Sequence, residues 1–137
     1  MYEPGKVFLT MRSEEILSRV DHTLLKPDAS WESMEKLCEE AVRYHTASVC
    51  IPPCYVKRVK ERYEDLTVCT VIGFPLGYSV TAAKVEEARQ AIRDGAEEID
   101  MVVNITDVKS HRFAEVEAEI RAVKEACGEH ILKVIAE

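Results

Sequence analysis

No apolar run in this chain approaches the ~20 residues that a membrane-crossing helix needs. The first residues, Met1 to Lys6, lack the basic and apolar stretches of a secretion signal. Basic charge is in deficit: 18 Lys and Arg face 25 Asp and Glu, a net charge of −7. That balance argues against a nucleic-acid or anionic-membrane surface. A small phosphorylated ligand stays compatible with it, because such a ligand needs only one local positive site. Glycine and proline are sparse, five of each, so no flexible linker divides the sequence. The four histidines (His22, His45, His111, His130) are scattered, with no HxxxH pair, and no metal site is expected. The cysteines are odd in number, five, and Cys50 and Cys54 do not form a CxxC pair. They read as reduced thiols of a cytoplasmic protein. Gly73-Phe-Pro-Leu-Gly77 has neither the Walker lysine nor GxGxxG spacing, so it reads as a tight turn at a strand end.

What is present is an alternation of two periods. Glu98-Ile-Asp-Met-Val-Val-Asn104 is a short apolar run carrying one carboxylate, Asp100, between two stretches of helical spacing. Similar strand-like runs occur at residues 23–25, 46–51, 67–74 and 131–137. Between them lie helical stretches near 31–42, 54–63, 81–95 and 110–127, with stripes such as Met34, Leu37, Cys38, Ala41 and Val42, or Phe113, Val116, Ile120 and Val123. Ser30, Thr81 and Ser110 stand where N-caps belong, and Ser13 caps a short leader helix. Five strands joined by four crossover helices predict a parallel sheet covered by helices. Residues 1–12 read as a leader with a turn at Pro4-Gly5, and residues 13–137 as a single domain.

Such folds place reactive groups at the C-terminal ends of their strands. The candidates there are Asp21 and Thr23, Cys50, Asp100 and Lys133. Asp100 and Lys133 hold similar places in adjacent strands, so in-register pairing would set them side by side. That pair could be a structural ion pair, or Lys133 could be an imine-forming nucleophile. Cys50 reads as a small core residue, since no histidine stands at a spacing that would activate it.

Five segments carry a specific resemblance. Asp21-His-Thr-Leu-Leu-Lys-Pro27, Ser48-Val-Cys-Ile51, Thr70-Val-Ile-Gly-Phe-Pro-Leu-Gly77, Gly95-Ala-Glu-Glu-Ile-Asp-Met-Val-Val-Asn104 and Leu132-Lys-Val-Ile135 come in this order and, from about residue 16 onward, resemble the deoxyribose-phosphate aldolase family. The resemblance implies a (β/α)8 TIM barrel, here incomplete, with a short helix before strand one. It implies a lyase that splits 2-deoxyribose 5-phosphate reversibly into glyceraldehyde 3-phosphate and acetaldehyde through a lysine imine, without a metal or other cofactor. By the same resemblance Asp100 is the proton relay, Asp21, Thr23 and Cys50 line the substrate, and Lys133 is an interior lysine beside the site.

The family's imine-forming lysine belongs to a sixth strand and its phosphate loops to the seventh and eighth, beyond the stretch seen here. Pro52, Thr106 and Ala136 also depart from the family's usual residues. The expectation is therefore an aldolase site complete only with further material, with Lys133 as the possible substitute nucleophile. The alternatives are an inactive half-barrel acting as a structural or interaction module, and an open flavodoxin-like domain. An open sheet edge and a bare inner face predict self-association into a homo-oligomer.

Overall fold

The computed structural model describes residues 12–136. The expected leader lies outside them apart from Arg12, as does Glu137. A short helix α1 (Ser13–Leu17) leads into β1 (Asp21–Thr23), α2 (Trp31–Tyr44) and β2 (Ser48–Ile51). A 3-10 turn (Pro53–Tyr55) and α3 (Val56–Arg62) precede β3 (Val68–Ile72). Then come α4 (Thr81–Arg93), β4 (Glu98–Val102), α5 (Ile105–Lys109), α6 (Phe113–Cys127) and β5 (Ile131–Ile135). The five strands pair in chain order, β1-β2-β3-β4-β5, and every pairing is parallel.

Side-chain alternation divides the sheet into two faces. Val49, Ile51, Val68, Ile72, Ile99 and Met101 face outward and pack with Met34, Leu37, Val59, Ala88 and Val123 of the helices in one core. The opposite parity places Asp21, Ser48, Cys50, Cys69, Val71, Glu98, Asp100 and Lys133 on the inner face, where Cys50, Cys69 and Val71 form a second small cluster. The inner face is strongly concave. In a flat sheet, four strand spacings of ~4.8 Å would separate β1 from β5 by about 19 Å. Yet Lys133 Nζ of β5 reaches Asp21 Oδ2 of β1 at 2.7 Å. Only a sheet curled like a barrel wall lets a single lysine span that gap. The architecture is an open segment of an α/β barrel, five strands long.

Several boundaries differ from those read in the sequence. Strand one occupies Asp21–Thr23 and not residues 23–25; Leu24 still donates its N–H to Cys50 O, but Pro27 then turns the chain away. Ser30 caps α2 as expected, accepting from Ser33 N. Ser13 and Thr81 are the first helical residues, not caps. Thr81 is not free to cap, because its hydroxyl donates to Glu119 Oε2. Ser110 ends a helix instead of starting one: Asn104 accepts from the N–H groups of Thr106 and Asp107 and starts α5, an unexpected fifth helix of the crossovers. Val42 and Phe113, expected inward, are both more than half exposed.

Candidate functional site

The site is the centre of the concave face, built by residues of one parity on all five strands. Register sets Asp100 of β4 opposite Lys133 of β5 and opposite Val71 of β3. It also sets Asp21 opposite Ser48, and Thr23 opposite Cys50. Lys133 lies among three carboxylates: 2.7 Å from Asp21 Oδ2, 3.0 Å from Glu98 Oε2 and 3.2 Å from Asp100 Oδ1. Only the contact to Asp21 is aligned as a hydrogen bond among these. Asp21 is held from the other side by Ser48, whose Oγ donates to Oδ1 at 2.7 Å.

Burial by itself would depress the Lys133 pKa, since a desolvated ammonium is costly. The hydrogen bond to Asp21 and the close carboxylates of Glu98 and Asp100 outweigh burial and hold the group well above its ordinary value. Asp21 shows the converse. Burial pushes its carboxyl up, but the bonds from Lys133 and Ser48 prevail, and its pKa falls below the usual carboxylate value. Lys133 is therefore a firmly protonated ammonium. A lysine must lose that proton to attack a carbonyl, so its surroundings oppose the nucleophilic role entertained from the sequence.

Asp100 differs from the other two carboxylates. Its Oδ1 is buried and accepts no hydrogen bond among the described residues, although Lys133 stands at ion-pair distance. The ammonium is aimed at Asp21 instead. A buried oxygen in this condition is unusual and is available to a water, a hydroxyl or a cation. Beside it are the sulfurs of Cys50 and Cys69, both buried. Thr23, at the open end of the face, turns its hydroxyl back to Asp21 O.

The structure thus brings Asp21, Asp100 and Lys133 into direct contact and sets Cys50 alongside, with Thr23 at the margin. Sequence reasoning missed Glu98, Ser48 and Cys69. Period-two parity with Asp100, Cys50 and Val71 was the signal that could have found them. It also missed Lys84 and Glu119, a fully buried ion pair at 2.6 Å behind the rim of the site. Lys84 Nζ donates to Gly77 O at 2.6 Å, Val102 O at 2.8 Å and Glu119 Oε1 at 2.6 Å. It thereby ties the loop after β3 to the end of β4. The loop leaves no room for a side chain: a Cβ on Gly77, whose φ is +71°, would meet Val103 O at 2.0 Å.

A family model described as DeoC/LacD family aldolase matches residues 16–137. A deoxyribose-phosphate aldolase of Clostridium botulinum (strain Alaska E43 / Type E3) is 56% identical over 128 residues, which cover 93% of this chain and 58% of that protein. A crystal structure from Coccidioides immitis superposes with a TM-score of 0.87 at 38% identity, over 90% of this chain and 50% of its own. The deoxyribose phosphate aldolase from Aeropyrum pernix, described as having a unique tetrameric structure, superposes with a TM-score of 0.75 at 31% identity, over 88% of this chain and 52% of its own. The chain spans between 50% and 58% of the length of these relatives.

Proposed function

The chain belongs to the DeoC/LacD aldolase family, and on that premise we propose that its concave face is the proton-handling part of an aldehyde-lyase site for 2-deoxyribose 5-phosphate. The observation that carries this reading is the contrast within the carboxylate cluster. Asp21 hydrogen-bonds the Lys133 ammonium and Glu98 stands 3.0 Å from it, while Asp100, at ion-pair distance, keeps one buried oxygen without a hydrogen bond.

The reaction divides as follows. The substrate aldehyde condenses with a lysine amine, releasing water, to give a protonated imine. The C3 hydroxyl loses its proton, the C2–C3 bond breaks, and its electron pair moves into the imine to form an enamine. Glyceraldehyde 3-phosphate leaves. The enamine is protonated at C2, and water releases acetaldehyde. Asp100 moves the proton in both directions, directly or through one water held on Oδ1. Lys133 remains an ammonium, fixing Asp21 and Glu98 and offsetting their charge beside an anionic substrate. The imine nitrogen belongs to neither interior lysine: Lys133 is held protonated by carboxylates, and Lys84 is sealed under the loop by three acceptors. Thr23 and Cys50 line the substrate.

Two further elements belong to the same proposal. The chain works as a homo-oligomer, a reading supported by Phe74, Leu76, Tyr78 and Val80, exposed together around one loop. It resides in the reducing cytoplasm, supported by five unpaired thiols.

The test is to titrate 2-deoxyribose 5-phosphate into the chain while following backbone amide resonances. Shifts centred on Thr23, Cys50, Asp100 and Lys133 are expected. Shifts confined to the outer helices, or none, would sink the reading. Borohydride reduction in the presence of acetaldehyde should leave Lys133 unmodified, and a reduced adduct there would reassign the nucleophile.

A further inference from the structure

Cys50, Cys69 and Asp100 belong to three adjacent strands, and one ligand atom from each (two sulfurs and a carboxylate oxygen) falls within 4.8 Å of the others. The in-register pairing of Cys50 with Cys69 puts the sulfurs side by side on the concave face. Asp100 lies one inward position further along, across from Val71. Two thiols and a carboxylate are a donor set for a thiophilic d10 cation, and three protein ligands leave one position open. Bonds of ~2.3 Å in a tetrahedron put sulfurs about 3.8 Å apart. With every separation within 4.8 Å, bringing the sulfurs onto an ion asks for a shift of at most about 1 Å.

Two observations beyond the donor set point to a cation here. The first is the unpaired, buried Oδ1 of Asp100, which Lys133 approaches without hydrogen-bonding. The second is charge: Asp21, Glu98 and Asp100 surround a single ammonium, so the face carries more negative than positive charge before either thiol ionises. Lys133 already gives its aligned bond to Asp21, so Asp100 can ligate without dismantling that bridge.

We propose that Cys50, Cys69 and Asp100 form a binding site for a thiophilic divalent cation such as Zn2+ or Cd2+, open at one position to solvent. The binding site goes beyond the aldol reading and stands without it; only its inhibitory consequence rests on that reading. On binding, each thiol releases its proton to solvent and its sulfur lone pair forms the bond to the ion, so uptake is coupled to proton release. The ion displaces whatever water or substrate hydroxyl rests on Asp100, and the site acts as an inhibitory one.

The experiment uses the whole chain, reduced, in a Cys54→Ser background, because Cys54 is the exposed thiol. Cd2+ is titrated in while the ultraviolet thiolate-to-cadmium band is recorded. One equivalent is expected to saturate a band of two thiolates. Cys69→Ser should halve the band and weaken binding at least tenfold, and Asp100→Asn should weaken binding while leaving the band intact. No band in the Cys54→Ser chain, or a band that Cys69→Ser does not change, overturns the proposal. Should Cys69→Ser not fold, X-ray absorption of the Zn2+-loaded Cys54→Ser chain decides the matter: two sulfurs at ~2.3 Å support the site, and one or none refutes it.

Discussion

Replacing Lys84 with Met removes the most deeply enclosed charge among the described residues while nearly keeping its volume. Lys84 has no exposed side-chain surface and Glu119 has 6%. In the substituted chain the Glu119 carboxylate would keep only the Thr81 hydroxyl at 3.2 Å and the Asn104 N–H at 3.2 Å. Gly77 O and Val102 O would each lose their ammonium donor. Removing one partner of a buried pair costs about 3–5 kcal/mol, because the surviving charge stays desolvated. Against the ~5–15 kcal/mol typical of a whole domain, that is a large fraction. Urea unfolding at neutral pH measures it as a drop in midpoint at unchanged slope. Glu119→Leu alone should cost a similar amount. The double variant Lys84→Met with Glu119→Leu should be less destabilised than the sum of the two by roughly 1–3 kcal/mol, since it strands no charge. A loss below about 1 kcal/mol for Lys84→Met, or strict additivity, would show that the pair does not clamp the loop after β3 to β4.

Gly77→Ala should be more damaging than its single methyl suggests, because the new Cβ would overlap Val103 O on a backbone of positive φ; a loss of about 3 kcal/mol or more is expected in the same unfolding assay, and a near-native midpoint would contradict the close approach. The Lys133–Asp21 bridge predicts a pH profile with two edges. Lys133 has a raised folded pKa, so its contribution is whole below the ordinary value of 10.5 and fades as pH rises beyond it. Asp21 has a lowered one, so its contribution is present above 3.8 and fades as pH falls below that. Unfolding midpoints recorded across pH should show both edges, and in Lys133→Met the alkaline edge should weaken; an unchanged alkaline edge would place its origin elsewhere.

Much of this arrangement was legible in the sequence, for reasons that can be named. Short apolar, β-branched runs locate four of the five strands closely, and the similar places of Asp100 and Lys133 in adjacent strands anticipate their meeting. Strand one was misplaced because Thr23 to Leu25 is more apolar than Asp21 to Thr23; a barrel wall accepts a polar inner residue where a bare propensity reading does not. Caps were read from residue type alone. That succeeds at Ser30, whose hydroxyl bonds only within its own first turn, at Ser33, and fails at Thr81, whose hydroxyl is committed to Glu119 on another helix. Lys84 escaped notice because a lysine in an amphipathic helix is taken for solvated surface. Its stripe of Lys84, Ala88 and Ala91 was the warning: two alanines mark a helix pressed close to its neighbours, and the lysine continues that line. Nothing local tells that Glu119, on another helix, completes the pair.

The order of the strands has a bearing on how such a chain is made. Each strand pairs only with its neighbours in sequence, so no segment has to insert between two others already joined. A chain emerging from the ribosome can extend the sheet one unit at a time, each helix sealing the seam just formed. The Lys133–Asp21 bridge breaks that vectorial order, joining residues 112 positions apart. Until the fifth strand is synthesised, the first strand's aspartate has only a serine hydroxyl for company, and the arrival of one ammonium fastens the two ends of the curved wall together.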